Sequence, residues 1–290
     1  MMFHDCYDIL QFNVNDYHTF EKIVQLQRIV YPARSQDFSI NGFRLWYCKN
    51  PMGPVISFNA FYKDEMVAHY ACVPIKMMMK GRIVDGLLDM STVTHPAHRG
   101  RGLFRTLAQT TYSYAFKQGY EFVIGVANAN SFPGYMKYFD FTFVSKLDVK
   151  FGYGAKIFDC AREKPFYVYW DKVALSWRAS IKAYSIHNDF LAGHLEFMRI
   201  SNFLGIKLIM GYYDKTLLEA IKVKGCRDIL RPLNLYIGIG ADLSKGHYFN
   251  VPWFIKHSPF NLIFLDLTGG KLPTISRDNV FFQLMDFDVA

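Results

Sequence analysis

The chain has 290 residues, a formal charge of +8 and 51% hydrophobic residues. That length is comfortable for two domains, and with charged residues at 20% large-scale disorder is excluded. The basic residues are spread along the chain, which argues against a nucleic-acid-binding arm and leaves a solvated basic surface or an anionic small ligand.

Cys6, Cys48, Cys72, Cys160 and Cys226 stand far apart with no Cys-x-x-Cys pair. Neither a zinc site nor a disulfide framework is suggested, so free thiols and no metal are expected. The first residues lack the charged and apolar regions of a signal peptide. No apolar run reaches the ~18 residues of a membrane span. The expectation is a cytoplasmic protein with no membrane span and no nucleic-acid partner.

In chain order, apolar positions at helical spacing place a helix over Asp16–Ile29, with Asn15 or Asp16 as cap and Pro32 ending it. A polar loop, the run Phe43–Tyr47 and a Pro/Gly-rich break come next. Val55–Tyr62, Met66–Met79 and Arg82–Thr94 read as a β-meander, with Pro74 at a bulge or bend and a kink near Gly86. Met77, Met78 and Met79 read as strand packing rather than soft metal ligation. A polar loop over 97–102 opens a helix with Leu103, Leu107, Ala108, Thr111, Ala115 and Phe116 on its apolar positions, and Gly119 lies just past its end. Phe122–Val126 reads as a buried strand. Asn128–Ser131 supplies caps and Pro133 an early helical position for a short helix to about Phe139. Phe141–Val149 returns as a strand. The strand-loop-helix-strand segment requires a crossover and hence a parallel pair in a mixed sheet.

Beyond residue 150 the pattern is less explicit. Asn188–Phe203 and Lys215–Val223 read as helices, and Ile206–Met210, Leu233–Ile239, Leu262–Leu267 and Phe281–Phe287 as strands. The run from Lys207 to Ile239 echoes that from Glu121 to Val149, through duplication or through convergence of common α/β patterns. The fold class expected is α/β with a mixed sheet, divided into residues 1–150 and a second α/β domain over 151–290.

The chemistry is concentrated between Val93 and Phe104. A strand feeds a loop and the loop opens a helix, whose first turn leaves N–H groups unpaired and adds partial positive charge. Gly100 and Gly102 let an anion approach the main chain, and Arg99, Arg101 and Arg105 add full charges. Together these make a phosphate site. The alternative is a basic surface turn that happens to contain two glycines. A Walker loop lacks its Gly-Lys-Ser/Thr here, and the dinucleotide Gly-x-Gly-x-x-Gly is missing. No Gly-x-Ser-x-Gly elbow occurs either.

Arg99-Gly100-Arg101-Gly102-Leu103-Phe104 resembles motif A of the GNAT N-acetyltransferase superfamily, Arg/Gln-x-x-Gly-x-Gly/Ala. Phe104 replaces the small residue, as in a subgroup of GNAT-like proteins of about this length. Asn128, Ser131, Tyr135 and Asp140-Phe141 resemble motif B, although counting back from Phe141 puts the family's tyrosine at Met136. The element order over residues ~15 to ~149 matches the GNAT domain.

The resemblance implies an acyl-CoA site, acetyl-CoA being the usual donor. Main-chain groups of Thr92, Val93 and Thr94 would pair with pantetheine. Arg99, Gly100, Arg101, Gly102, Leu103 and Phe104 would bind pyrophosphate, with Asn128 and Ser131 alongside, and the thioester would lie near Val126 and Ala127. Direct attack by an amine needs positioning and proton removal rather than a covalent intermediate. Tyr135 is the candidate acid, its alternative a packing aromatic. The family's basic Glu falls on Leu88. Asp89 is the nearest carboxylate, but alternation turns it to the opposite face unless a bulge intervenes. His69 is a further candidate, while His95 and His98 shape the loop or meet phosphate. The expected acceptor is a small-molecule primary amine, which the resemblance extends to amino sugars, antibiotics, polyamines or peptide amines. A single CoA site is expected, and a homodimer is left open. The rival reading is a non-catalytic GNAT-like module that binds CoA or a partner.

Overall fold

The structure is a computed structural model, and it describes residues 7–154, 164–181, 185–189, 194–200, 206–214, 216–217, 233–244, 246–251 and 258–287. Asp16 starts helix α1 (Tyr17–Val30) by accepting from the His18 N–H at 3.0 Å. The helix buries Phe20, Ile23, Val24, Leu26 and Gln27. Pro32 opens a 3-10 turn, Pro32–Asp37. The segment expected to be a polar loop also holds a helix. Ser39 Oγ accepts from the Gly42 N–H at 3.1 Å and so caps helix α2 (Ile40–Cys48).

Strands β1 (Asp8–Gln11), β2 (Ile56–Tyr62), β3 (Glu65–Met79) and β4 (Arg82–Thr94) are paired in that order, all antiparallel. Pro74 lies in regular register opposite Leu87; the bulge lies instead at Met90, left over between the pairs Ala71–Ser91 and Cys72–Asp89. The expected kink at Gly86 is replaced by close packing, since a Cβ there would come within 2.2 Å of the Phe122 ring. Helix α3 (Leu103–Lys117), strand β5 (Phe122–Ala127) and helix α4 (Phe132–Tyr138) come next. The single strand expected over Phe141–Val149 is broken at Leu147 into β6 (Thr142–Lys146) and β7 (Asp148–Gly154), the Leu147 N–H donating to the Phe260 carbonyl at 2.8 Å.

The remaining described elements are β8 (Phe166–Val168), α5 (Lys172–Ile181), β9 (Ser185–Asp189), β10 (His194–Ile200), β11 (Lys207–Asp214), β12 (Asn234–Ile239), β13 (Gly246–Asn250), β14 (Asn261–Asp266) and β15 (Val280–Gln283). The helix expected over Asn188–Phe203 is therefore wrong, because β9 and β10 form an antiparallel pair there. The helical spacing competed with a period of two in His194-Leu195-Glu196-Phe197. The expected helix Lys215–Val223 lies almost wholly outside the described residues. The strand expected over Phe281–Phe287 stops at Gln283 and gives way to a 3-10 turn, Leu284–Asp286.

The described strands form one mixed sheet. Its two portions exchange strands. β7 leaves the first portion to pair with β12, while β14 returns to lie between β5 and β6. Strand order and polarity also recur. β2, β3 and β4 form a meander with β5 parallel to β4, and β9, β10 and β11 form a meander with β12 parallel to β11. The bulge recurs as well, with Met210 left over between the pairs Phe197–Gly211 and Met198–Ile209.

Alternation along the central strands builds a core on each face. Leu87, Val123 and Ile263 pack with Leu103, Leu107 and Tyr135 of α3 and α4. Leu88, Ile124 and Leu262 pack in the core that contains Phe20, Leu26 and Tyr47 of α1 and α2 and Leu175 of α5. Met77 and Met79 are buried in that second core. Among the described residues no helix is long and apolar enough to cross a membrane.

Candidate active site

Parallel pairing of β4 with β5 is confined to Gly86–Leu88 against Phe122–Ile124. Beyond it each strand continues, β4 to Thr94 and β5 to Ala127, without pairing to the other. The gap opens a cleft of about 640 Å³ lined by Asp89, Thr92, Val93, Thr94, Arg99, Phe104, Val126, Ala127, Asn128, Ser131 and Tyr135, among others. On its β3 side, 92–94 stays paired with 68–70, so the main-chain groups facing the gap are the ones left for a ligand. The far end of β5 is held by Asn261, whose Nδ2 donates to the Ala127 carbonyl at 3.1 Å.

The bulge at Met90 decides which side chains meet. In a regular strand Asp89 and Ser91 would share a face. Here Asp89 and Thr92 both turn to the α4 side, where the Tyr135 hydroxyl is coupled to Asp89 and lies 3.5 Å from Thr92 Oγ1, while Ser91 turns toward α1. Tyr70 is also coupled to Asp89, and the Tyr70 and Tyr112 hydroxyls are 2.5 Å apart. Gly125 makes the arrangement possible, since a Cβ on it would come 3.1 Å from Asp89 Cβ. Burial raises the Asp89 carboxyl to about 6, against the lowering effect of the two tyrosine hydrogen bonds. Burial, then the charge of Asp89, holds the Tyr135 phenol well above its ordinary range. The cleft thus contains a carboxylate that titrates near neutrality beside a phenol that keeps its proton.

At the cleft mouth Gly100 and Gly102 adopt φ of +75° and +79°. Gly102 is the N-cap of α3 and no side chain caps that terminus. A Cβ on either glycine would meet nothing within 4 Å, so the space above the loop is open. The unsatisfied amides are those of Leu103, Phe104 and Arg105, since the Thr106 N–H donates back to the Gly102 carbonyl at 3.0 Å. Leu103 itself points into the core. Arg99 reaches the cleft, its Nε donating to the Thr94 carbonyl at 3.3 Å. Arg101 is exposed on the loop and does not line the cleft. His95 and His98 turn away from it: His95 accepts from the Ala97 N–H at 3.2 Å, and His98 bonds the Tyr7 hydroxyl at 3.0 Å.

Asn128 Oδ1 accepts from the N–H groups of Asn130 and Ser131 and shapes the entry to α4. Of the two tyrosine registers, Tyr135 enters the cleft while Met136 packs against the core beside α3. His69 lies outside the cleft, buried among Tyr47, Asn59 and Ser57, and burial lowers it to about 3. Tyr70, Tyr112, Asn261 and Gly134 are not singled out by any sequence motif. A tyrosine on a buried strand carries no local signal beyond packing, and Asn261 is distant in sequence from what it holds.

A second chamber of about 440 Å³ lies on the other face, between α1, α2 and β4. It shares Tyr31, Met90, Thr92 and Val93 with the first cleft, so the two adjoin along this stretch of β4. The corresponding gap of the second portion is filled. Pairing of β11 with β12 ends at Ile209–Tyr236, and β15 then pairs Gln283 and Phe282 with Gly238 and Ile239. The Gln283 amide accepts from the Tyr212 N–H at 2.8 Å and donates to the Tyr212 carbonyl at 3.4 Å. The chain's own strand closes that side to a ligand.

Residues 16–143 match the sequence model of the family described as acetyltransferase (GNAT) domain. No curated protein sequence matches the chain. Among solved structures, a probable N-acyltransferase from Enterococcus faecalis V583, a conserved protein of unknown function, is similar over 90% of this chain and 73% of its own, with TM-score 0.62 and 10% identity. A GCN5-related N-acetyltransferase from Kribbella flavida is similar over the same shares, 90% and 73%, with TM-score 0.57 and 10% identity. Saccharomyces cerevisiae N-myristoyltransferase, solved with myristoyl-CoA, covers 74% of this chain and 64% of its own with TM-score 0.51 and 11% identity. At such identities the likeness is one of fold.

Proposed function

Starting from a chain whose residues 16–143 belong to the GNAT acetyltransferase family, we propose that the protein is an acyl-CoA-dependent N-acyltransferase. In this reading it transfers acetyl from acetyl-CoA to a primary amine of a small molecule, an amino sugar being the specific acceptor suggested by the sequence resemblance. The observation that carries the reading is the meeting of Asp89 and Tyr135 in an open β4–β5 gap that runs to an uncapped helix terminus.

The donor site fits the chain's groups. The amides of Leu103, Phe104 and Arg105, approached over Gly100 and Gly102, bind a diphosphate. Arg99 contributes charge at the mouth, and the free main-chain edge of Thr92–Thr94 takes the pantetheine amides. When bound, acyl-CoA supplies an activated carbonyl and a sulfur leaving group. Asp89, ionised above pH about 6, takes a proton from the acceptor's ammonium and uncovers the nitrogen lone pair. Tyr135, still protonated at neutral pH, gives its proton to sulfur as the carbon–sulfur bond breaks. Asp89, now protonated and coupled to the phenol, then returns a proton to it. The second chamber receives the body of the acceptor, because it adjoins the donor cleft across β4, and the amine extends from it to Asp89 on the cleft side. The filled gap between β11 and β12 supports a single donor site per chain.

The test is calorimetric titration with acetyl-CoA, followed by an amine panel assayed for released thiol. One site per chain, lost in Arg99→Glu, is expected, together with thiol release that depends on Asp89. Binding without release for any amine would favour a non-catalytic CoA-binding module, and no binding would remove the donor site altogether.

A further inference from the structure

Gln27 is 4% exposed and Ser91 8%, yet both line the second chamber. Behind them lie buried polar side chains with assignable hydrogen-bond roles. His69 is neutral and donates from Nδ1 to Asn59 Oδ1 at 2.7 Å. Its Nε2 must then accept, and it takes the Tyr47 hydroxyl proton at 2.9 Å. With its own proton spent, Tyr47 Oη is left to Ser91 as an acceptor, which holds the phenol lower than burial alone would. Ser91 Oγ accepts from Gln27 Nε2 at 2.8 Å. Gln27 thus turns its nitrogen to Ser91, and carbonyl Oε1 is left without a protein partner among the described residues.

Gln27 Oε1 is not among the fully buried unpartnered atoms of the described residues, so it keeps access to the chamber, where a ligand's donor takes the place of water. The surroundings specify the donor. Tyr31, Phe38, Phe43 and Trp46 give the chamber apolar walls. Asp37, the carboxylate among its lining residues, is already paired with Arg34 Nε at 3.0 Å. A second ammonium would find no free counter-charge there, whereas a neutral hydroxyl needs none. We propose that Gln27 Oε1 accepts a hydrogen bond from a hydroxyl of the acceptor, so that the enzyme selects hydroxyl-bearing primary amines over their deoxy counterparts.

This inference rests on the acyltransferase reading, and its test keeps the two apart. Matched pairs, trans-4-aminocyclohexanol with cyclohexylamine and further amino alcohols with the hydroxyl at other distances, are measured in two ways. One readout is thiol release from acetyl-CoA; the other is calorimetric binding without acetyl-CoA. For the best pair the amino alcohol should have a KM lower by about ten-fold, the worth of one hydrogen bond. Gln27→Met should bring the pair within roughly two-fold of each other. Ser91→Ala, which frees the Gln27 amide to rotate, should give an intermediate ratio, and circular dichroism checks that both variants fold. A ratio that survives in folded Gln27→Met and Ser91→Ala overturns the proposal, as does a wild-type protein with no preference in any pair. If amino alcohols bind through Gln27 but no thiol is released, the acyltransferase reading falls while this site stands. If thiol is released with no dependence on Gln27, the reverse holds.

Discussion

Gly134 on α4 lies against the ring of Phe104 on α3, where a Cβ would stand 3.1 Å from Cε1. The glycine explains how the loop motif tolerates a phenylalanine at a position the family fills with a small residue: bulk gained on one helix is removed from the other. Gly134→Val should destabilise the protein by about 1–3 kcal/mol through overpacking. Phe104→Leu in the same chain should recover most of that loss. Urea unfolding of the two single variants and the double variant gives the coupling directly.

Asp89→Asn should lower kcat/KM by about 10²–10⁴-fold, the usual worth of a general base, while acetyl-CoA still binds. In the wild type kcat/KM should rise with pH through about 6, where the carboxyl ionises. Tyr70→Phe removes one hydrogen bond that favours the charged form, so that rise should move to higher pH. A limb that stays in place would sever Tyr70 from the base.

Tyr135→Phe should reduce kcat by about 10²-fold with little loss of stability. The ring keeps its edge contacts with Phe104 and Phe141, whose centroids lie 5.2 Å away in each case. Equal thermal melting midpoints with unequal turnover would be the signature.

Gly102→Ala places a Cβ at φ +79° over the open helix terminus. Left-handed backbone costs an L-residue about 1–2 kcal/mol, and the methyl obstructs the approach to the amides. Both stability and affinity for acetyl-CoA should fall, affinity by the larger factor. Calorimetry beside thermal melting separates the two losses.

His69 gives stability an acid dependence. Burial lowers its pKa from the ordinary 6.5 to about 3, so between those values the unfolded chain binds a proton that the folded chain does not. The contribution is complete above about pH 6.5 and is lost as pH falls toward 3. His69→Gln should be less stable at pH 7, yet lose less stability than the wild type between pH 7 and pH 5. Urea midpoints at the two pH values measure this.

Much of the first portion was legible because its signals are local. Helical spacing, the Asp16 cap, the meander's short turns and Gly100 and Gly102 all act over a few residues. Asp89 was nameable, but its facing was not, since the bulge at Met90 depends on how β3 pairs with β4. The hairpin of β9 and β10 was misread because a short apolar run fits both periods. The places of β14 and β15 could not be read at all. Their sequences mark them as buried strands, but a strand's neighbours are set by tertiary contacts, which leave no periodicity behind.

The strand exchange has a consequence for how the protein is made. β14 is synthesised long after the strands it separates, and Asn261 at its start holds the carbonyl at the tip of β5. A nascent chain already carrying the glycine loop, the aspartate and the tyrosine still has β5 and β6 without their shared neighbour, an exposed ladder open to association. Residues 16–143, recognisable alone as a family domain, are therefore not an excisable unit. A fragment ending there should aggregate.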